Sequence, residues 1–434
     1  MVGIDNFCNG SLTAFSLNNH LSRYSHCQGG ISMGKQRKHF LHFFVALAVA
    51  VLLLPTGVLA AETIKVGILL PLSGPLEYFG EMEKQSFDLA LEEINGGGGI
   101  KGMKLEFIYQ DTKGDVDVGR EAVKKLMDDD KVVMLGGGYY SPATFSVAGL
   151  AQQNRVPFLI NTASDDKITE QGWDYVFRLN PPGSEYTSGI ESFLAEVVKP
   201  KTAVIIHEDS VHGRNSADFF RKTCDKLGIQ VLMAEGYEHG VEDLKPILTK
   251  VKELNPDIVY MSSYVADGST IMIEARQMRI TPKIFLGGAT GFTMPEFVQY
   301  AGVASEKVIT ATLWHQALPL PGAMTYFTRF TSRYNKEPDY HGAEAYAAAY
   351  VIRDVLQRAT SFAPEDIKKS LEKTRLMTLF GPVSFTSYGK KINQNKLTSY
   401  VVQWQFSRLK LIWPKNLANA DYAYPVNWLS EWGY

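Results

Sequence analysis

VVMLGGGYYSPATFSVAGLAQQNRVPFLINTAS, residues 132–164, reads as strand, glycine turn, helix, strand and polar turn. Val132–Leu135 is a short apolar run, as expected of a strand buried on both faces. Gly136, Gly137 and Gly138 are expected to end it and turn the backbone tightly. Ser141 has the character of an N-cap, with Pro142 at the first helical position and Ala143–Gln153 as a short helix. Val156–Ile160 is a second buried strand, closed by the polar turn Asn161-Thr162-Ala163-Ser164. Two polar turns thus follow two neighbouring parallel strands, at the edge where open parallel sheets take ligands. A helix start beside the Ser141 hydroxyl suits the carboxylate of a small ligand. The same residues would serve equally as ordinary helix caps.

The flanking sequence continues the alternation. Ile64–Leu70 is a strand, and about Gly80 to Ile94 a helix with Phe87, Leu91 and Ile94 on its apolar face. Lys104–Tyr109 is a strand ending at Asp111, Val116–Met127 a helix, and Tyr175–Leu179 a further strand. This order gives a parallel sheet covered by helices. Asn180-Pro181-Pro182-Gly183 is a candidate crossing, after which a second series begins. It runs through strands Thr202–His207, Gln230–Met233, Ile258–Met261, Ile284–Gly287 and Lys307–Leu313, with helices between them. Helices return at Ala323–Tyr334, Ala343–Ala359 and Pro364–Lys373; Gly381–Ser387 reads as a hairpin arm and Leu397–Gln405 as the last strand. The fold class is α/β, with two Rossmann-like lobes joined by several crossings.

Composition is that of an ordinary globular chain: 434 residues, 45% apolar and 21% charged. A net charge of −2 gives no reason to expect nucleic acid as a partner. Lys35, Arg37 and Lys38 precede the apolar run Phe40–Leu54, and Val58-Leu59-Ala60 places small residues for a cut after Ala60. The run is short against the roughly 20 residues of a spanning helix. No cysteine follows it, so lipoprotein processing is not expected. Met33 would begin a normal signal peptide, and residues 1–32 are set aside as an over-extended start. Beyond Ala60 only Cys224 remains, so no internal disulfide is expected.

Several stretches together resemble one family: IKVGILLPLSGPLEYFG (64–80), LALEEINGGGGIKG (89–102), GGGYYSPAT (136–144), VPFLINTAS (156–164) and the late pair Trp314 and Tyr346. From Glu62 onward the chain is similar to periplasmic substrate-binding proteins of the branched-chain amino acid (Leu/Ile/Val-binding) ABC transporter family, of type I periplasmic binding fold. The resemblance implies two lobes, 61–182 plus 314–393 and 183–313 plus 394–434, after an N-terminal extension and signal peptide at 1–60. Three strands would cross between the lobes, and a ligand would be trapped as they close. Its carboxylate would meet the loop at Tyr140-Ser141, and its ammonium the turn Thr162-Ala163-Ser164. Phe79, His212 and the loop near Tyr264 would supply walls. Members of the family also pair the ammonium with an acid from the second lobe, but Gly288-Ala289-Thr290 stands there in this chain. A buried ammonium without a counter-charge is costly. Either Asp209 or Asp165 substitutes, or the ligand is a small organic or aromatic carboxylate, an amide or a urea-like molecule.

Other motifs carry less. Gly97-Gly98-Gly99-Ile100-Lys101-Gly102 matches G-x-G-x-x-G but follows a helix and precedes a strand, the reverse of a dinucleotide site. His207-Glu208-Asp209-Ser210-Val211-His212 lacks metal-ligand spacing, and no G-x-S-x-G elbow accompanies it. The aromatics Tyr78, Phe79, Tyr139, Tyr140, Tyr264 and Trp314 all fall at strand ends, where they fit a cleft wall. The expected protein is a periplasmic, monomeric binder without catalytic residue, cofactor or metal, handing a small molecule to the membrane permease of an ABC transporter. Ser141, Thr162, Ala163 and Ser164 would hold the polar head, Phe79, Tyr140, Tyr264 and Trp314 would pack the rest, and Asp209 with His212 would close from the second lobe. A ligand-sensing module for a membrane receptor is the alternative, and an amidase or esterase a more distant one.

Overall fold

The computed structural model describes residues 63–434 apart from 239 and 242, and the side chains of residues 211, 212, 289 and 290 also lie outside the description. The expected export segment and its cut after Ala60 therefore fall outside the described residues.

The first alternating series comprises β1 (Thr63–Leu70), α1 (Glu77–Gly96), β2 (Lys104–Asp111), α2 (Val116–Asp128), β3 (Met134–Gly137), α3 (Ser141–Gln153), β4 (Phe158–Ile160) and β5 (Val176–Arg178). The second comprises α4 (Ser188–Phe193), β6 (Thr202–Glu208), α5 (Val211–Leu227), β7 (Gln230–Tyr237), α6 (Lys245–Leu254), β8 (Ile258–Ser262), α7 (Val265–Gln277), β9 (Ile284–Gly287), α8 (Ala289–Phe292), α9 (Pro295–Ala301) and β10 (Ile309–Thr312). Helices α10 (Ala323–Tyr334), α11 (Tyr340–Arg358) and α12 (Pro364–Glu372) follow. The chain closes with β11 (Leu376–Thr378), β12 (Gly381–Val383), β13 (Thr386–Tyr388), β14 (Lys391–Gln394), β15 (Tyr400–Gln405), β16 (Arg408–Trp413) and α13 (Trp428–Glu431).

The strands form two seven-stranded sheets, ordered β13-β14-β5-β4-β3-β1-β2 and β16-β15-β10-β9-β8-β6-β7. Each is parallel through its middle, with an antiparallel strand or pair at one end. The chain passes between the sheets three times: after β5, after β10 and after β14. This is the expected doubly wound, twice-repeated architecture. In each sheet the order reverses beside the first strand, between β1 and β3 and between β6 and β8. Crevices open at such switch points, outside the carboxyl ends of the strands.

Three local expectations need correction. Strand β3 takes in Gly136 and Gly137, so only Gly138 lies in the turn. The glycines are there for contact: a Cβ on Gly136 would stand 2.9 Å from Ile68 Cδ1, and one on Gly137, at φ 95°, 2.4 Å from the Leu69 carbonyl oxygen. The last strand is β16, not the one ending at Gln405. The stretch expected as a single hairpin arm divides between β12 and β13, which pair with β11 and β14 respectively.

Helices α1 and α11 pack side by side on the first sheet. Gly342 on α11 permits the approach, because a Cβ there would meet the Tyr326 hydroxyl at 2.5 Å and Ser86 Oγ at 2.8 Å. Those two hydroxyls hydrogen-bond each other at 2.8 Å. Alanines at 343, 345, 347, 348 and 349, all buried, keep α11 slim along that contact.

Gly137→Ala should destabilise the fold by about 3 kcal/mol or more, since the new methyl group meets both strained backbone and a carbonyl. Urea unfolding checks this; a loss under about 1 kcal/mol would mean that β3 can shift to make room.

Candidate functional site

The site grows from the turns at the switch point of the first sheet. Asp111, at the end of β2, accepts from Leu72 N–H at 2.8 Å and from the Ser73 hydroxyl at 2.5 Å, fixing the turn after β1. Burial opposes its charge, but the Ser73 hydroxyl and the Lys113 and Leu72 N–H groups hold its pKa below the usual carboxylate value. The next turn differs from expectation in one respect. Tyr140, not Ser141, is the N-cap of α3, and it makes no side-chain cap. Ser141 Oγ instead accepts from the backbone N–H groups of Ser164 and Asp165, each at 3.2 Å. Ala163 N–H donates to the Gly138 carbonyl at 2.8 Å. The turns after β3 and β4 are thus stitched into one surface.

Aromatic rings pack beside it. Phe79, near the start of α1, stacks on Tyr139 with centroids 4.9 Å apart, and the His341 imidazole lies 4.9 Å from Phe79 and 3.9 Å from Tyr340. Asp339 caps α11 by accepting from His341 and Gly342 N–H, and its other oxygen meets His341 Nδ1 at 2.9 Å. Burial raises the Asp339 pKa, but His341 and these N–H groups outweigh it and hold the carboxyl below its ordinary range.

Two further acids, Glu83 on α1 and Glu344 on α11, are fully buried here. Asn161 donates to Glu83 Oε2 at 2.7 Å and to Thr162 Oγ at 2.6 Å. Burial pushes the Glu83 pKa from 4.5 to about 7, against the pull of its hydrogen bonds from Asn161 and Thr162. Burial and then the nearby Glu83 carry the Glu344 carboxyl well above its ordinary value, with Thr162 opposing. Among the described residues Glu83 Oε1, Asn161 Oδ1 and Asn180 Oδ1 have no hydrogen-bond partner, and the Thr162 hydroxyl is the donor beside Glu344. Asn180, just beyond β5, donates to the Thr162 carbonyl and to the Tyr186 hydroxyl. Burial and then Glu344 raise the pKa of that phenol, which places Tyr186 close to the acids.

Of the residues expected at the site, Phe79, Ser141, Thr162, Ala163 and Ser164 converge at this edge, with Tyr140 beside them, 38% exposed. Tyr264 caps α7 at the switch point of the second sheet. Burial, Glu208 and Tyr140 together raise its pKa, which puts Tyr264 within electrostatic reach of both. His212 is the second residue of α5, and its side chain lies outside the described residues. Two expectations are corrected. Asp209 is 56% exposed and ion-paired with Arg214, so it turns to solvent rather than to the turns. Trp314 is a core residue: its indole N–H donates to the Leu379 carbonyl at 2.9 Å and its ring meets Tyr326 edge-on.

Glu83, Glu344, Asp339, His341 and Tyr186 were not anticipated from sequence. A signal existed for the first two. Glu83 stands four residues before Phe87, and Glu344 four before Ala348, so both carboxylates lie in phase with an apolar stripe. Among the described residues no three His, Cys, Asp or Glu side chains converge as metal ligands. The described histidines His207, His315 and His341 bond to the Glu208 carbonyl, the Leu409 carbonyl and Asp339, none to a serine or cysteine.

Residues 63–408 match the family model described as periplasmic binding protein. A Brucella melitensis protein named Leu/Ile/Val-binding protein homolog 7 is 24% identical over 395 residues, covering 88% of this chain and 98% of its own. The leucine-, isoleucine-, valine-, threonine-, and alanine-binding protein of Pseudomonas aeruginosa is 26% identical, covering 82% and 94%. Among solved structures, the branched-chain amino acid transporter substrate binding protein LivJ of Streptococcus pneumoniae, in complex with isoleucine, superposes with a TM-score of 0.71 at 25% identity, covering 80% of this chain and 98% of that one.

The raised Glu83 pKa makes stability pH-dependent. Its contribution is intact below pH 4.5 and is lost as pH rises through about 7, where the buried carboxyl must ionise. Glu83→Gln removes that loss. The ligand-free variant should match the parent near pH 4.5 and exceed it by up to about 3 kcal/mol at pH 8. Denaturation across this range checks it; an equal or greater loss in the variant at pH 8 would contradict the assignment.

Proposed function

The chain belongs to the periplasmic binding protein family, and on that premise we propose that it is an extracytoplasmic solute-binding protein serving an ABC transporter. It is exported with removal of the segment up to about Ala60 and works as a monomer. Two lobes, 61–182 plus 314–393 and 183–313 plus 394–434, close on a small ligand and present the closed form to a membrane permease. The ligand is a branched-chain or other hydrophobic amino acid, or a related small carboxylate or amide; the names of the relatives support this range. The mechanism is hinge closure, without bond-making chemistry.

One observation carries the reading. Ser141 Oγ already accepts two backbone N–H groups. A hydroxyl has two acceptor lone pairs and one proton. Only the proton is left for a further partner, so Ser141 offers a donor at the stitched edge, which a ligand carboxylate or carbonyl accepts. Thr162, Ala163 and Ser164 hold the remainder of the polar head. Phe79 and Tyr140 from the first lobe and Tyr264 from the second pack the apolar part, with His212 at the mouth of the second lobe.

Ser141→Ala should weaken binding at least about tenfold, or about 1.4 kcal/mol. Calorimetry with L-leucine, L-isoleucine and L-valine, on protein unfolded and refolded to strip carried-over ligand, checks this. Unchanged affinity in a correctly folded variant would reject this edge as the carboxylate site.

A further inference from the structure

The turn after β4 is bonded on two sides. Its N–H groups go to the Ser141 turn: Ala163 donates to the Gly138 carbonyl, and Ser164 and Asp165 donate to Ser141 Oγ. Its four carbonyls, 162 to 165, all accept from the stretch 178–183, where the chain leaves β5 for the other sheet. Asn180 Nδ2 donates to the Thr162 carbonyl, and Gly183 N–H to the Ser164 carbonyl at 2.8 Å. Arg178 Nη1 donates to the Ala163 and Asp165 carbonyls at 3.3 and 2.7 Å. The same guanidinium reaches the next crossing. Its Nε donates to Gln394 Oε1 at 2.7 Å and its Nη2 to Thr169 Oγ1 at 3.2 Å. Gln394 ends β14, and its amide nitrogen donates to the Asn180 and Asn395 carbonyls, both at 2.7 Å. Asn395 bonds back, from its backbone N–H to the Arg178 carbonyl at 2.9 Å and from its side chain to the Leu179 carbonyl at 3.1 Å. Arg178, Asn180 and Gln394 are all 0% exposed.

A buried guanidinium is costly, and each of these four acceptors of Arg178 is a neutral oxygen rather than a carboxylate. A packed apolar side chain would serve stability as well or better. What the guanidinium adds is a rigid planar fork that fixes several acceptors relative to one another. We propose that Arg178, seated on Gln394, is a positioning residue: it locks the 162–165 turn to the crossings after β5 and β14, so that turn and hinge move as one body. The inference rests on the small-ligand reading above and deepens it, because ligand contact at the turn then has a path to closure. Beside the second sheet the same two crossings are pinned again. There Gly189 N–H donates to Ser399 Oγ at 2.9 Å and Ser399 N–H to Ser188 Oγ at 3.2 Å. A Cβ on Gly189 would stand 2.4 Å from the Ser399 carbonyl oxygen, so that pin is close-packed. Bending on closure falls between the two pins.

Two variants test the link. Arg178→Lys keeps the charge and loses the fork; Gln394→Met keeps the side-chain bulk and removes the fork's seat, and it stands in should Arg178→Lys misfold. Calorimetry on stripped protein with L-leucine, L-isoleucine and L-valine should show about tenfold weaker binding in either variant, although neither residue is placed against the ligand. Amide hydrogen exchange reads the link without ligand. Ser141→Ala frees the turn on its other side and should speed exchange at the Asn395 amide about threefold or more, and Arg178→Lys should abolish that response. A merely structural arginine predicts exchange rising as much in β1 as in the turn, full affinity in the folded variants, and no response of Asn395 to Ser141→Ala. The inference is overturned by unchanged affinity in both variants, by an Asn395 amide indifferent to Ser141→Ala in the parent, or by a response that persists in both variants; these results leave the small-ligand reading standing. If the parent binds none of the three probes, the amino-acid reading falls, and the exchange result alone decides the role of Arg178.

Discussion

Two fully buried carboxyl groups, Glu83 and Glu344, are the constraint that the rest of the site has to accommodate. Glu83 and Glu344 sit on α1 and α11, the helix pair packed on the first sheet, and both are fully buried. That contact is fixed by Gly342, Ser86 and Tyr326, whose spacing leaves no room for an extra methyl group. The surrounding apolar core therefore holds the acids in place against their desolvation. Strain of this kind persists at functional sites because the rest of the fold over-determines it. The buried acids and the aromatic stack of Phe79, Tyr139 and His341 are consequences of one helix pair seated over one switch point.

The two sheets divide the work. The first supplies the stitched turns, the hydroxyl of Ser141 and the buried acceptors. The second brings Tyr264 toward Tyr140 from its own switch point. Three passages of chain between the sheets allow a hinge without separation of the halves. A ligand that touches both edges favours the closed arrangement by the difference between its affinities for closed and open forms, and by no more than that.

Much of this was legible in the sequence, for physical reasons that can be named. Buried parallel strands are short apolar runs closed by glycine or polar turns, so β1, β3, β4, β6, β8 and β9 announce themselves. Strand β16 did not, because its hairpin turn is Phe406-Ser407, both at positive φ, where Asn-Gly would be the recognisable signal. Tertiary contacts hold that turn instead: Glu306 accepts the N–H groups of both residues, and the Lys307 ammonium sits over the Phe406 ring. Trp314 was misread for a similar reason. A strand-end aromatic points to a cleft or to the core according to the helices that cover it, and α10 covers this one with Tyr326. Asp209 was read as a site acid because sequence cannot show that Arg214, one helical turn on, takes its charge. Glu83 and Glu344 carry no motif of their own, and only their phase with an apolar stripe marks them as buried.

The central claim is that the cargo lies where these two strand-end edges meet. A crystal structure of the protein with its ligand bound tests it most directly. The ligand should lie between residues 138–141 and 161–164 with Tyr264 closing over it and a ligand oxygen within about 3 Å of Ser141 Oγ. A ligand seated away from these turns, or one presenting only apolar atoms to Ser141, would contradict the account.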